Sequence, residues 1–108
     1  MSWSKTEKII ARRIFELARQ RDYEILIKKI NNKTINSPED IWELRELLNE
    51  KVKEFDEKYD YRYSLLLGIF MRLVGEDLLK IDDLSGLSDN KIETIKQVMK
   101  LRQNRVEV

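Results

Sequence analysis

From Ser4 to Asn31 the chain contains neither glycine nor proline. Ser4 and Glu7 stand three residues apart, the spacing at which a hydroxyl and a carboxylate satisfy each other's free backbone amides at a helix start. A long unbroken stretch opened by that signal predicts one long N-terminal helix. At ~100° per residue, Ile10, Ala11, Ile14, Phe15, Leu17, Ala18, Ile25 and Leu26 fall on one side of it. Tyr23, Ile27 and Ile30 fall roughly opposite. Two apolar stripes predict two contacts, one with the chain's own core and one with a second subunit, although a curved helix in a monomer gives the same pattern.

Asn31 to Asn36 is polar and reads as a loop. Ser37-Pro38-Glu39-Asp40 then gives a cap, a first-turn proline and two acids at the positive helix end. The helix that follows carries Ile41, Leu44, Leu48, Val52, Phe55 and Tyr59 on one stripe, with Leu47 outside it. Asp60 is the expected cap of a third helix from Tyr61. There Leu65, Leu66, Leu67, Ile69, Phe70, Met71, Leu73 and Val74 leave almost no polar face, so it is expected at the buried centre. Gly75 is its expected stop, with a short turn over Leu78 and Leu79. Ser85-Gly86 breaks the chain again, and Ser88 caps a final helix through Ile92, Ile95, Val98, Met99 and Leu101. Arg102 to Val108 should fray. The expectation is a single all-helical domain over residues 1–108, of about four helices, forming a homodimer.

Composition bounds the chemistry. The chain has 108 residues, no Cys and no His, with 21 Lys plus Arg against 20 Asp plus Glu. Without Cys there is no disulfide, iron–sulfur cluster, thiolate zinc site or cysteine nucleophile. Without His the commonest general base and metal ligand is missing. A formal charge of +1 disfavours strong capture of nucleic acid. The longest apolar run, Leu65 to Met71, falls far short of the ~20 residues of a membrane span. Met1 to Lys8 has no apolar signal region, so the expected location is cytoplasmic. No cofactor, metal site or catalytic residue is expected.

Trp42 is the most informative residue. It lies ~80° off the edge of its helix's stripe, among Arg45, Glu46, Asn49 and Lys53. A large aromatic on a polar face is enriched at interface centres; packing on a neighbouring helix of the same chain is the plainer reading. Asp56 to Tyr63 gathers charges and three tyrosines. It reads as a binding surface or as a junction in which Asp60 caps and Arg62 pairs with Asp56 or Glu57. The acids Glu76-Asp77 and Asp82-Asp83 lack the ligand spacing of a calcium loop and read as solvated caps. Arg12, Arg13, Arg19 and Arg21 are diluted by Glu7, Glu16 and Asp22. Gly86 to Lys91 faintly resembles a DNA-binding hairpin but has Ser88 where a second glycine is needed.

The pattern then becomes specific. Trp3-Ser4, Glu7-Lys8, Phe15, Ala18 and Gln20-Arg21-Asp22 open a resemblance that strengthens at Asp40 to Leu44 with Leu48 and Lys51. It peaks at Asp56-Glu57-Lys58-Tyr59-Asp60-Tyr61-Arg62 with Ser64, and continues through Asp83-Leu84, Leu87, Lys91-Ile92 and Ile95. The chain resembles the fluorescence recovery protein family of cyanobacteria over nearly its whole length. The resemblance implies a small helical, dimeric, non-enzymatic protein. It implies binding to the C-terminal domain of the light-activated orange carotenoid protein, faster red-to-orange return, and the end of photoprotective quenching. Trp42 would be a partner-contact or interface residue, and Ile41 would lie at or near the dimer contact. Arg45, Glu46, Asn49, Val52, Asp60 and Arg62 complete the candidate contact set. The chain departs from the family pattern at Arg45, where His is usual, and at Val52, where Arg is usual. Gly68 and Thr94 stand where some members have Phe and Lys. Those departures leave open a dimeric interaction module that serves another partner.

Overall fold

The computed structural model describes residues 2–106. Helix α1 spans Lys5–Asn31, α2 Pro38–Lys58, α3 Tyr63–Gly75 and α4 Asp89–Val106, with a 3-10 turn at Ile81–Leu84 between the last two. No strand occurs among the described residues. Both N-terminal signals read in the sequence form. Ser4 Oγ accepts from the Glu7 amide at 3.1 Å, and Glu7 Oε1 accepts from the Ser4 amide at 3.4 Å. Ser37 and Asp40 do the same for α2, with Pro38 in its first turn.

The core gathers at one end of the molecule. Ala11, Ile14, Phe15 and Ala18 of α1 pack with Leu66, Ile69, Phe70, Leu73 and Val74 of α3. Leu78, Leu79, Leu84 and Leu87 close it from the connecting segment, and Ile95 from α4. Phe15 sits between two aromatic edges, 5.4 Å from the Tyr59 ring and 4.9 Å from that of Tyr61. Gly86 has φ +102°, and a Cβ there would lie 2.7 Å from Ile10 Cδ1. Its lack of a side chain therefore serves close packing on α1, which displaces the DNA-hairpin reading of this turn. Lys91, in the first turn of α4, is also buried and is taken up inside the protein.

Away from this head the helices part. A compact chain of this length has a radius of gyration of about 13 Å. The observed value is 16.8 Å, with extents of 52 × 39 × 21 Å. The second half of α1 and most of α2 form an arm, and α2 buries only Phe55 and Lys58.

Several expectations are corrected here. Leu17 and Ile25 are exposed although both lie on the predicted core side of α1, Ile25 by 57%. Leu17 lies at the edge of the buried stripe of Ala11, Ile14, Phe15 and Ala18, and past residue 22 the core no longer reaches the face of Ile25. Helix α3 starts at Tyr63 rather than Tyr61, with Arg62 as its N-cap and no side-chain cap bond. Asp60 is instead paired with Arg62, its Oδ1 accepting from Arg62 Nε at 3.0 Å, so Arg62 does not pair with Asp56 or Glu57. Helix α4 continues through Val106 where fraying was expected; residues 107 and 108 lie outside the described residues. Glu76 and Asp83 are not merely solvated. Asp83 accepts from Arg21 Nη1 and from the Lys80 amide, both at 2.8 Å.

Two buried ammonium groups lock the elements together. Lys58 is 1% exposed, and its three N–H donors meet three carboxylates: Asp22 at 2.9 Å, Glu54 at 3.1 Å and Glu76 at 2.8 Å. Lys51 and Arg72 neutralise Glu54 and Glu76 from outside, at 3.1 and 2.8 Å. The Tyr59 hydroxyl donates to Asp22 at 2.7 Å. A buried ammonium is tolerated only when satisfied in this way. Lys91 is the second: it donates to both Glu7 carboxylate oxygens at 3.0 Å and to the Ser2 carbonyl at 2.8 Å.

Candidate interaction surface

Helix α2 enters the arm with its start held firmly. The Ser37 hydroxyl accepts from the Asp40 amide at 3.3 Å, and Asp40 Oδ2 accepts from the Asn36 and Ser37 amides at 2.9 and 3.1 Å. The Asn36 amide, then the Ser37 hydroxyl, hold the Asp40 carboxyl below its ordinary range. This cap fixes the first turns of α2, and those turns carry Ile41 and Trp42.

Neither of these side chains turns inward. Ile41 is 51% exposed, Trp42 58% and Val52 60%, and Leu48 is also exposed. Trp42 therefore does not pack into the core of its own chain. With Arg45, Glu46 and Asn49 it lines an open depression of about 330 Å³. Leu48 and Val52 line a second one of about 370 Å³ with Tyr23, Leu26, Lys51, Phe55 and Asp56, between α1 and α2. On the α1 side, Tyr23, Ile25 and Ile27 are exposed as well. The stripe of α2 that reads as a core stripe in the sequence is thus a core stripe only at its C-terminal end, where Phe55 is buried.

The structure brings six of the eight candidate residues onto this arm and separates the other two. Roughly 24 Å of helix lies between Trp42 and Lys58, and Asp60 and Arg62 sit beyond that in the connection to α3. There they bond to one another, the Arg62 guanidinium made more basic by the Asp60 carboxylate.

The sequence reading named Asp22 and Lys58 without pairing them, although their ion pair joins α1 to α2. A signal for Asp22 was present: it lies four residues after Ala18 and seven after Phe15, inside the buried stripe, where a carboxylate requires a cationic partner. It also passed over Tyr23 and Lys51 as groove-lining residues, because the space between two helices has no local signature.

Among the described residues, no group of three or more acidic, His or Cys side chains is placed to hold a metal ion. No described helix is long and apolar enough to cross a membrane.

Comparison with known proteins gives a consistent result. Residues 3–99 match the family model described as photoprotection regulator fluorescence recovery protein. The chain is 32% identical over 101 residues to the fluorescence recovery protein of Synechocystis sp. PCC 6803, covering 92% of this chain and 93% of that one. The solved structure of the Fremyella diplosiphon fluorescence recovery protein superposes with a TM-score of 0.85 at 36% identity, over 92% of this chain and 99% of that one. The Synechocystis structure gives 0.83 at 31% identity with the same coverage.

Proposed function

The chain belongs to the fluorescence recovery protein family, a family of photoprotection regulators, and on that premise we propose that it works by contact, as a homodimer. In this reading it binds the C-terminal domain of an orange-carotenoid-protein-like partner in the cytoplasm and promotes the partner's return from the red to the orange form. It performs no covalent chemistry and needs no cofactor.

The observation that carries the proposal is the uncovered arm. Ile41, Trp42, Leu48 and Val52 are exposed on α2, facing the same solvent as the apolar second half of α1. A side chain of this size contributes about 1.5–3 kcal/mol when fully covered, and a run of exposed large apolar groups marks an interaction site. Ile41 and Val52 are assigned to the subunit contact, and Trp42 with Arg45, Glu46 and Asn49 to the partner. Asp60 and Arg62 are assigned to a peripheral contact near the head. A regulator of this kind shifts its partner by binding one conformer better than another. It speeds the return only if it favours the conformer on the way back.

The test is recovery of photoactivated orange carotenoid protein in the dark. Faster red-to-orange conversion with micromolar protein is expected. Unchanged recovery would sink this reading and leave a dimeric module that serves a different partner. That second reading is supported by Arg45 and Val52, which replace the residues usual in the family on this same arm. Val52 puts an exposed apolar group where a cation is usual. The dimer is tested separately by light scattering: a 13.0 kDa mass at high concentration would contradict it.

A further inference from the structure

Two segments read separately in the sequence, the arginines of α1 and the tyrosine-rich stretch Asp56 to Tyr63, meet in three dimensions. Lys8, Ile9, Arg12 and Arg13 lie on the outward side of the first half of α1, and Tyr61 and Tyr63 come from the connection into α3. With Glu16 they line an open groove of about 540 Å³ on the head, away from Trp42. Lys8 Nζ lies 4.9 Å from the centre of the Tyr63 ring, and Arg12 Cζ lies 4.5 Å from that of Tyr61. The Tyr61 hydroxyl donates to the Lys8 carbonyl at 3.4 Å. The tyrosines thus hold two cations at the rim.

Those cations are mostly uncompensated. Arg12 pairs with Glu16 at 3.1 Å, whereas Lys8 and Arg13 make no ion pair among the described residues. Three positive side chains face one carboxylate, in a chain whose formal charge is only +1. Between them Ile9 is 66% exposed, an apolar floor with nothing over it.

We propose that this groove docks an acidic, extended segment of a partner protein. Carboxylates of the segment meet Lys8 and Arg13, and an apolar side chain lies over Ile9. Tyr and Arg are the side chains favoured at such contacts, and charge complementarity fixes register and speeds encounter. The groove is poorly made for nucleic acid. Base stacking needs free aromatic faces, and Arg12 and Lys8 each already lie over one face of Tyr61 and Tyr63. Glu16 would also repel a continuous phosphate backbone. The proposal does not rest on the carotenoid-protein reading, since its residues are separate from the arm.

The test uses the full chain and a labelled synthetic peptide of alternating Glu and Leu, read by fluorescence anisotropy at low salt. The same peptide with Gln for Glu serves as comparison, and a single-stranded oligonucleotide as competitor. The wild type is expected to bind the Glu peptide and not the Gln peptide, and to lose affinity as salt rises. Lys8→Glu with Arg13→Glu should weaken binding roughly tenfold or more. Lys8→Gln with Arg13→Gln, which avoids new carboxylates on the helix, should weaken it in the same direction with helicity unchanged. Lys33→Glu, at an exposed cation outside the groove lining, should leave it unaltered. Absent binding, equal binding of both peptides, undiminished binding by the double variants, or tighter binding of the oligonucleotide would each overturn the proposal.

Discussion

Lys58 Nζ lies 2.9 Å from Asp22 Oδ2, and the two residues, on different helices, are both buried. The pair joins α2 to α1 where the head ends and the arm begins. Its partners are unequal. Lys58 keeps Glu54 and Glu76 if Asp22 is lost, whereas Asp22 without Lys58 keeps only the Tyr59 hydroxyl. Lys58→Met should therefore destabilise strongly, by about 3–5 kcal/mol, because it strands a buried carboxylate. Asp22→Asn should cost less. The double variant should be less unstable than the sum of the two. Urea denaturation of the four proteins measures this, and strict additivity would show that the pair is not coupled.

Stability should be flat across neutral pH and fall at both extremes. The Ser88 amide, and then Lys91, hold the Glu7 carboxyl below its ordinary value. Arg21, and then the Lys80 amide, do the same for Asp83. A carboxyl depressed in the folded state contributes stability that is complete above its unfolded value, and loses it as pH falls through the folded one. The acid limb should thus begin below about pH 4.5. Burial, and then Asp22, push the Tyr59 hydroxyl upward. The folded state therefore retains a proton that the unfolded chain gives up, and stability declines above about pH 10. With no His in the chain, no side chain has an ordinary value near 6.5. Thermal melts across this range check the shape, and a step between pH 6 and 7 would contradict it.

Two glycines should respond in opposite directions. Gly86→Ala places a side chain at positive φ and against Ile10, and should cost about 1–3 kcal/mol. At Gly68, inside α3, a Cβ would meet nothing within 4 Å, so Gly68→Ala should stabilise by about 0.5–1 kcal/mol. Melting temperatures of the two variants distinguish packing from local propensity.

On the arm, Ile41→Glu should lower the mass seen by light scattering while leaving helicity unchanged, because a desolvated carboxylate at a subunit contact has no partner. Trp42→Ala should leave the mass dimeric and remove the effect on carotenoid-protein recovery. If Trp42→Ala also dissociates the protein, the tryptophan belongs to the subunit contact instead.

Much of the fold is legible in the sequence because its helices announce themselves locally. Ser4 with Glu7, and Ser37 with Pro38 and Asp40, fix two starts within four residues of chain. The apolar saturation of α3 marks it as central, and Leu66, Phe70 and Leu73 are buried there. What the sequence does not show is distance. Periodicity assigns Leu48 and Phe55 to one stripe but cannot say that the head reaches only the second of them. The angle of Trp42 on the helix leaves open whether it packs on its own chain, and on-stripe Ile41 and Val52 are about as exposed as it is. The companionship of Arg12 with Tyr61 depends on a crossing that no short-range pattern encodes. Asp60 illustrates a competition: the residue is a good cap, but Arg62, two positions on, takes its carboxylate first.

Glu7 has a further consequence. The residue that closes the cap of α1 also accepts from the Ser88 amide at 2.9 Å and from Lys91, so the first helix is completed by the last. During synthesis α1 emerges early with its apolar face bare, and its buried neighbours Leu84, Leu87 and Ile95 are among the later residues made. The head is therefore complete only once α4 has been made. Until α3 exists the apolar face of α1 has no cover, and until Ile95 exists the core that the two helices share stays incomplete.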